Sequence, residues 1–206
     1  MPNRRLIYMK KFIVTIAREH GSGGRIIGKK LAESIGVKFY DRELITMTAK
    51  ETGLSEHFIN EIEDQKPSSL LYSLYMGTYV PNVYDEAFVA QSNLIRSIAD
   101  KESCIIVGRC ADYILRDYEN CVHFFIHAPI EQRAKRITEE YGENVKDPIA
   151  AVKKWDKKRS NYYNFITQSQ WGKAQNYNMT IDSSIGIDQT AGMIEDYLRH
   201  CGFLDD

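Results

Sequence analysis

The sequence has little cysteine, no long apolar run near its start and no excess of one charge. Its four cysteines form no CxxC pair and no metal-ligand spacing, so neither a disulfide framework nor a zinc module is expected. The apolar run after the basic start, residues 12–17, is too short for a signal-peptide core or a membrane span. We therefore predict a cytoplasmic protein with reduced thiols and no membrane partner.

Charge and length limit the possibilities further. Twenty-seven Lys and Arg residues against 28 Asp and Glu residues give a net charge of −1, so no overall field attracts nucleic acid. The 206 residues contain no internal repeat and suit one domain, which we predict to span residues 1–206. We predict that translation starts at Met1 or at Met9. If Met9 is the start, residues 1–8 are a loose extension.

Short apolar runs alternate with segments of helical periodicity. Strands are predicted at residues 12–17, 37–40, 104–107, 121–126 and 177–181. The first has the apolar pattern of a strand buried on both faces, the second is short, and the fifth is weaker than the others. Helices are predicted at residues 26–35, 129–141, 147–167 and 187–201, and residues 42–102 are helical by period with interruptions. This alternation predicts an α/β fold with a parallel sheet, whose ligands bind along the rim after the strands.

A glycine-rich loop joins the first predicted strand to the first predicted helix. Gly21, Gly23 and Gly24 allow positive φ and close approach of a ligand to the backbone. The amides from Gly21 to Arg25, including that of Ser22, can point at an anion on the helix N-terminus. A tight structural turn is the alternative, but the strand–loop–helix context favours phosphate binding.

The loop departs from the Walker pattern G-x-x-x-x-G-K-[S/T]. Aligning Gly23 with the second glycine puts Arg18 at the first glycine, Gly24 at the lysine and Arg25 at the hydroxyl residue. Both the phosphate-bridging lysine and the magnesium-binding hydroxyl are therefore missing. A guanidinium binds phosphate bidentately, so Arg18 or Arg25 can supply the lost charge, and Ser22 is the nearest hydroxyl. The alternative for Arg25 is a solvated first-turn residue.

Three blocks of sequence, residues 16–32, 39–44 and 106–113, resemble the cytidylate kinase-like family. The resemblance runs from about Lys11 to Leu198. It implies a three-layer P-loop kinase fold with a five-stranded parallel sheet, a helical acceptor-binding insert at residues 42–102 and a lid-like region at residues 132–170. The implied reaction transfers the γ-phosphoryl group of ATP, with Mg²⁺, to CMP or dCMP. No residue of this chain is assigned as a ligand of the Mg²⁺.

The resemblance also assigns acceptor-binding residues. Arg109 follows the third strand. In the family, the arginine of a Gly-Arg-Asp motif at this place holds the acceptor phosphate. Here Cys110 replaces the aspartate of that motif, and Asp112 lies two residues further on. The alternative is a rim arginine paired with Asp112. Asp41 matches the acceptor-site aspartate and is alternatively a plain helix cap. Met47 stands where cytidylate kinases have a later arginine, which weakens the case for cytosine.

Further arginines resemble the lid of nucleotide kinases. Arg133 and Arg136 share a helix face at spacing i, i+3, and Arg159 follows a run of lysines whose alternative role is a solvated face. The predicted catalytic residues are Arg136, Arg159 and Arg25. The predicted ATP-phosphate-binding residues are Gly21, Ser22, Gly23, Gly24, Arg25 and Arg133. The predicted acceptor-binding residues are Asp41, Arg109 and Asp112.

Three functions remain open at this point. The first is a phosphotransferase acting on a nucleoside monophosphate, and the second is a non-catalytic nucleotide-binding regulator, which the missing lysine and hydroxyl favour. The third is a kinase of a non-nucleotide small molecule, which the tyrosine-rich segment at residues 68–84 favours. The same segment is a candidate homodimer face.

Overall fold

A computed structural model describes residues 11–57, 59 and 83–205 of the chain. The two candidate start methionines lie outside the described residues, and so does most of the tyrosine-rich segment predicted to line an acceptor pocket or a dimer face, residues 68–82.

Five parallel strands form one sheet in the order β2-β3-β1-β4-β5. They are β1 (Ile13–Arg18), β2 (Lys38–Tyr40), β3 (Cys104–Val107), β4 (Cys121–His127) and β5 (Met179–Asp182). The central strand β1 is apolar on both faces because helices cover the sheet on both sides, and Ile13, Val14 and Ile16 are completely buried. All five predicted strands are confirmed, with bounds that differ by at most two residues.

The helices of the described residues are α1 (Gly24–Ile35), α2 (Glu43–Thr52), α3 (Val83–Lys101), α4 (Ala111–Ile114), α5 (Ile130–Glu139), α6 (Pro148–Thr167) and α7 (Ile187–His200). Their ends follow from local chemistry. Gly36 ends α1 at φ 69°. Asp147 caps α6 by accepting a hydrogen bond from the Ala150 N–H at 2.9 Å, with Pro148 in the first turn.

Two hydrophobic layers separate the helices from the sheet. Val14 and Ile16 of β1 pack with Leu31 of α1 and Ile194 of α7 on one face. Ile13, whose side chain points the opposite way, packs on the other face with residues of α2, α3 and α4, namely Leu44, Ile95 and Ile114. The predicted three-layer α/β fold is confirmed. None of the helices in the described ranges is long and apolar enough to cross a membrane.

Candidate active site

A cavity of about 680 Å³ opens at the rim where β1, β2 and β3 end. Its walls come from the glycine loop, the β2–α2 junction, the β3–α4 turn, the segment after α5 and the helix α6. The polar and aromatic side chains and the glycines that line it include Arg18, Glu19, His20, Gly21, Gly24, Arg25, Asp41, Arg42, Arg109, Tyr141, Glu143, Trp155, Lys158 and Arg159. The structure thus brings together six predicted site residues, Gly21, Gly24, Arg25, Asp41, Arg109 and Arg159.

The loop can be built only with glycine at two of its positions. Gly21 and Gly23 have φ values of 75° and 85°. A Cβ atom on Gly21 would lie 2.6 Å from the carbonyl oxygen of Arg133, and one on Gly23 would overlap Ile187. Because α1 begins at Gly24, its first-turn amides have no acceptor within the helix and are available to an anion in the cavity.

The Ser22 hydroxyl faces away from the cavity. The residue is completely buried, and its Oγ donates to the carbonyl oxygen of Glu19 at 2.9 Å. Its own carbonyl oxygen accepts a hydrogen bond from the Ser183 hydroxyl at 2.5 Å. Ser22 therefore fixes the shape of the loop from within.

Two arginines of α5 bind the carbonyl groups of the loop. Arg136 Nη1 donates to the Gly21 oxygen at 2.9 Å, and Arg133 Nη1 donates to the His20 oxygen at 3.2 Å. Arg133 is only 7% exposed, and its guanidinium also lies 3.2 Å from Glu19 and 2.5 Å from Asp156. Neither arginine is among the described residues that line the cavity. Their predicted common face is correct, but it holds the loop rather than facing the cavity.

Asp41 is a buried ion-pair partner of two arginines. Its carboxylate lies 2.6 Å from Arg25 Nε and 3.6 Å from Arg18 Nη2. These ion pairs, rather than a cap of α2, account for the carboxylate, since the helix is assigned Arg42 at its N-cap position. Arg25, whose side chain is 54% exposed, is tied to the β2 end of the site by this pair.

The β3–α4 turn aims Arg109 at the cavity. Gly108, Arg109 and Cys110 have φ values of 77°, 61° and 52°, a left-handed run that is costly for residues with a side chain. Asp112, which follows in α4, is 5% exposed and accepts a hydrogen bond from the Tyr163 hydroxyl at 2.7 Å. Asp112 lines a small adjoining cavity together with Arg109.

The basic helix α6 has two different sides. Lys153, Lys154 and Lys157 are exposed, as expected of a solvated face. Lys158 and Arg159 are half-buried and line the cavity, and Arg159 Nη1 donates to the carbonyl oxygen of Arg18 at 3.2 Å. This contact joins α6 to the start of the glycine loop.

Residues 13–185 match the sequence profile of the cytidylate kinase-like family. The chain belongs to this family. Among proteins with curated functions, none is detectably similar in sequence.

Several solved structures, including those of kinases, share the fold of this chain. An uncharacterized protein from Eubacterium ventriosum is 31% identical over 92% of this chain and 99% of its own, with a TM-score of 0.71. A shikimate kinase from Acinetobacter baumannii, solved with shikimate, is 13% identical over 94% of this chain and 96% of its own, with a TM-score of 0.55. A gluconokinase from Sinorhizobium meliloti is 12% identical over 93% and 98%, with a TM-score of 0.50. The fold of this cytidylate kinase-like protein is therefore that of the P-loop kinases.

Three aromatic residues at the cavity were not assigned from the sequence. The His20 ring lies 5.6 Å from the Trp155 ring and 6.5 Å from the Tyr141 ring, measured between centroids. His20 Nε2 is 3.1 Å from a carboxylate oxygen of Glu143, yet burial, helped by the charge of Arg159, lowers the pKa of His20. No motif links these residues, because they come from three separate segments of the chain.

The carboxylates of the site suit magnesium only as part of a nucleotide complex. In the described part of the chain, no three His, Cys, Asp or Glu side chains cluster closely enough to hold a metal ion. Asp41 is paired with arginines, and Glu143 is paired with His20. Mg²⁺ is commonly held by few carboxylates together with substrate phosphates, so the family's metal fits here when it arrives with ATP.

Asp112 makes the stability of this protein depend on pH. Burial raises the pKa of Asp112 from 3.8 to about 6, against the hydrogen bond from Tyr163 that lowers it. Because the folded-state pKa is the higher one, the stability from this group is complete below about pH 4 and is lost as the pH rises through 6. The loss amounts to at most about 3 kcal/mol.

We expect Asp112→Asn to remove that loss, because the amide oxygen still accepts from Tyr163 and carries no charge. Urea unfolding at pH 4.5 and pH 8 should show the variant to be more stable than the wild type only at pH 8. Asp117→Asn, at an 83% exposed side chain, is the matched control. Equal pH dependence of wild type and Asp112→Asn would show that Asp112 does not titrate with folding.

Proposed function

We propose that this protein is an ATP-dependent phosphotransferase that transfers the γ-phosphoryl group to a small acceptor inside the 680 Å³ cavity. The observation that carries the proposal is the juxtaposition of two kinds of anion site. The glycine loop and the N-terminus of α1 form one wall, and Arg109 and Arg159 line the same cavity. Membership of the cytidylate kinase-like family and the P-loop kinase fold support this chemistry.

The ATP phosphates bind on the loop side of the cavity. The first-turn amides of Gly24 and Arg25 donate to phosphate oxygens, and the positive end of the α1 dipole adds to the attraction. Bound Mg²⁺ supplies neutralisation of the β- and γ-phosphates. Arg159, anchored on the Arg18 carbonyl, places its charge near the transferred group. Phosphoryl transfer needs mainly positioning and positive charge, which these residues supply.

The acceptor binds on the β2 and β3 side, within reach of Arg42 and Arg109. Residues 42–102 form the acceptor-binding insert and residues 132–170 the lid in this proposal. A nucleoside monophosphate, with CMP or dCMP first, is the acceptor that the family relationship favours. Its phosphate matches the planar fork of Arg109.

A non-nucleotide acceptor is the second candidate. The acceptor side presents guanidinium groups, and these bind a carboxylate as well as a phosphate. The structural neighbours include a shikimate kinase and a gluconokinase, which suggests hydroxy acids as the class to test.

The test is Mg-ATP turnover against CMP, dCMP, UMP, AMP, shikimate and gluconate, with Arg109→Ala beside the wild type. We expect CMP or dCMP to be phosphorylated, and Arg109→Ala to lower kcat/KM by about 10²–10³-fold, mainly through the KM of the acceptor. Arg116→Ala, which removes an arginine outside the cavity, is the control and should leave turnover unchanged.

Turnover of a hydroxy acid alone would establish the second candidate. No turnover of any acceptor, while ATP still raises the melting temperature, would contradict the phosphotransferase proposal. The non-catalytic nucleotide-binding regulator would then be the function.

A further inference from the structure

Gly24 stands where the Walker pattern has its lysine, and Arg18 fills the space beside it. A Cβ atom on Gly24 would lie 2.7 Å from the Cβ of Arg18 and 3.1 Å from its Cγ. These distances are shorter than the usual contact between carbon atoms. A lysine at position 24 therefore requires Arg18 to move.

A second glycine makes room for the far end of the same side chain. Gly108, at the end of β3, has φ 77°, and a Cβ atom placed there would overlap Nη1 of Arg18 and lie 2.9 Å from its Cζ. The arginine thus extends from the end of β1 across Gly24 and ends against the backbone of the neighbouring strand. Two glycines from different loops leave the path of one arginine open.

The Arg18 guanidinium is held in this position and still reaches the cavity. Nη2 lies 3.6 Å from the buried carboxylate of Asp41, and the side chain is 21% exposed. The carbonyl oxygen of Arg18 accepts from Arg159 at 3.2 Å. Arg18 lines the cavity together with Gly21 and Gly24, next to the amides proposed to bind phosphate.

Arg25 is less suited to the same role. It follows Gly24 on the first turn of α1, its side chain is 54% exposed, and its Nε lies 2.6 Å from Asp41. The nearest atoms to a Cβ atom placed at Gly24 or at Gly108 belong to Arg18 and not to Arg25. Arg25 and Asp41 therefore position Arg18 from the β2 side.

We infer that two positions of the Walker pattern have exchanged residue types together. A cation, Arg18, stands where the pattern has its first glycine, and a glycine, Gly24, stands where it has its lysine. Arg18, at the first position of the pattern, supplies the phosphate-bridging cation that the standard pattern supplies from the seventh position. This inference rests on the proposed function, because the ligand of Arg18 is the polyphosphate chain of the nucleotide.

The test is a double-mutant cycle on Arg18→Gly, Gly24→Lys and the double variant, which restores G-x-x-x-x-G-K. Calorimetry measures ADP affinity, ligand-observed NMR measures adenosine affinity, and thermal unfolding measures stability. We expect Arg18→Gly to weaken ADP binding at least about tenfold while adenosine binding stays the same, since only the phosphates meet the guanidinium. Arg116→Ala is the control for the loss of one arginine.

The coupling between the two positions is the sharper readout. Gly24→Lys alone should lower the melting temperature, because its Cβ meets Arg18. The double variant should regain both that stability and at least about tenfold in ADP affinity over Arg18→Gly. Arg18→Gln, which keeps the stem and removes the charge, gives the binding result if Arg18→Gly does not fold.

Three outcomes overturn the inference. If the wild type binds ADP no better than Arg18→Gln or Arg18→Gly does, the inference is overturned but the proposed function stands. Additive effects of the two substitutions would show that the positions are not exchanged. A wild-type protein that binds neither ADP nor ATP would refute the proposed function, and the inference with it.

Discussion

Replacement of Arg133 by Met is expected to lower the free energy of unfolding by about 3–5 kcal/mol. Arg133 is 7% exposed, and its guanidinium contacts Glu19 at 3.2 Å and Asp156 at 2.5 Å. Met preserves the volume of the stem but leaves two carboxylates in a protected site without their shared cation. The carbonyl oxygens of Ala128 and His20 also lose their donor.

The loss should depend on pH in a defined direction. Burial raises the pKa of Glu19, and Arg133 is the main influence that lowers it. Without Arg133 the folded-state pKa of Glu19 rises further, so the variant takes up more protons on folding than the wild type does. The stability difference between Arg133→Met and the wild type should therefore shrink as the pH falls toward 5 and widen toward 8.

Urea unfolding monitored by circular dichroism at pH 5 and pH 8 measures both effects. Arg116→Met, at a 48% exposed side chain, is the matched control and should change stability little. Adding Glu19→Gln and Asp156→Asn to Arg133→Met should recover part of the loss, because no unpaired charge remains. A loss below about 1 kcal/mol at both pH values would contradict the view of Arg133 as the cross-link that fixes the loop.

The fold was predictable because local signals agree with the global structure. The apolar run at residues 12–17 indicates a strand covered on both faces, and β1 lies at the centre of the sheet. Asp147 and Pro148 mark the start of α6 through cap and first-turn chemistry that acts within three residues. Gly36 marks the end of α1 in the same way. Such signals need no knowledge of distant contacts.

The site was predictable only as a region, because its contacts join distant segments. The spacing of Arg133 and Arg136 predicts their common face, but not that this face binds the carbonyl oxygens of His20 and Gly21. Asp41 precedes a helix and so resembles a cap, whereas its partners are arginines of the glycine loop.

Arg18 and Gly24 carried a signal in the sequence. Each departs from the Walker pattern, and the two departures together describe one exchange of residue types. The contact between them, with Gly108 as the third member, becomes evident only once β1 and β3 lie side by side.

Arg159→Ala is expected to lower kcat by about 10²–10³-fold with little change in ADP affinity. Arg159 lines the cavity from α6, and its Nη1 is already held on the Arg18 carbonyl at 3.2 Å. A guanidinium fixed before the reaction stabilises charge that develops in the transition state without the cost of reorganisation. Arg159→Lys keeps the charge but not the planar fork, so its kcat should lie between those of the wild type and the alanine variant.

Steady-state kinetics with Mg-ATP and the acceptor that the wild type phosphorylates measure this effect. Lys157→Ala removes an exposed cation from the same helix outside the cavity and should leave kcat unchanged. If Arg159→Ala instead raises the KM for ATP at constant kcat, the arginine binds the ground state and transition state equally. The transition-state charge would then be stabilised by other cations that line the cavity, such as Arg109 and Arg18.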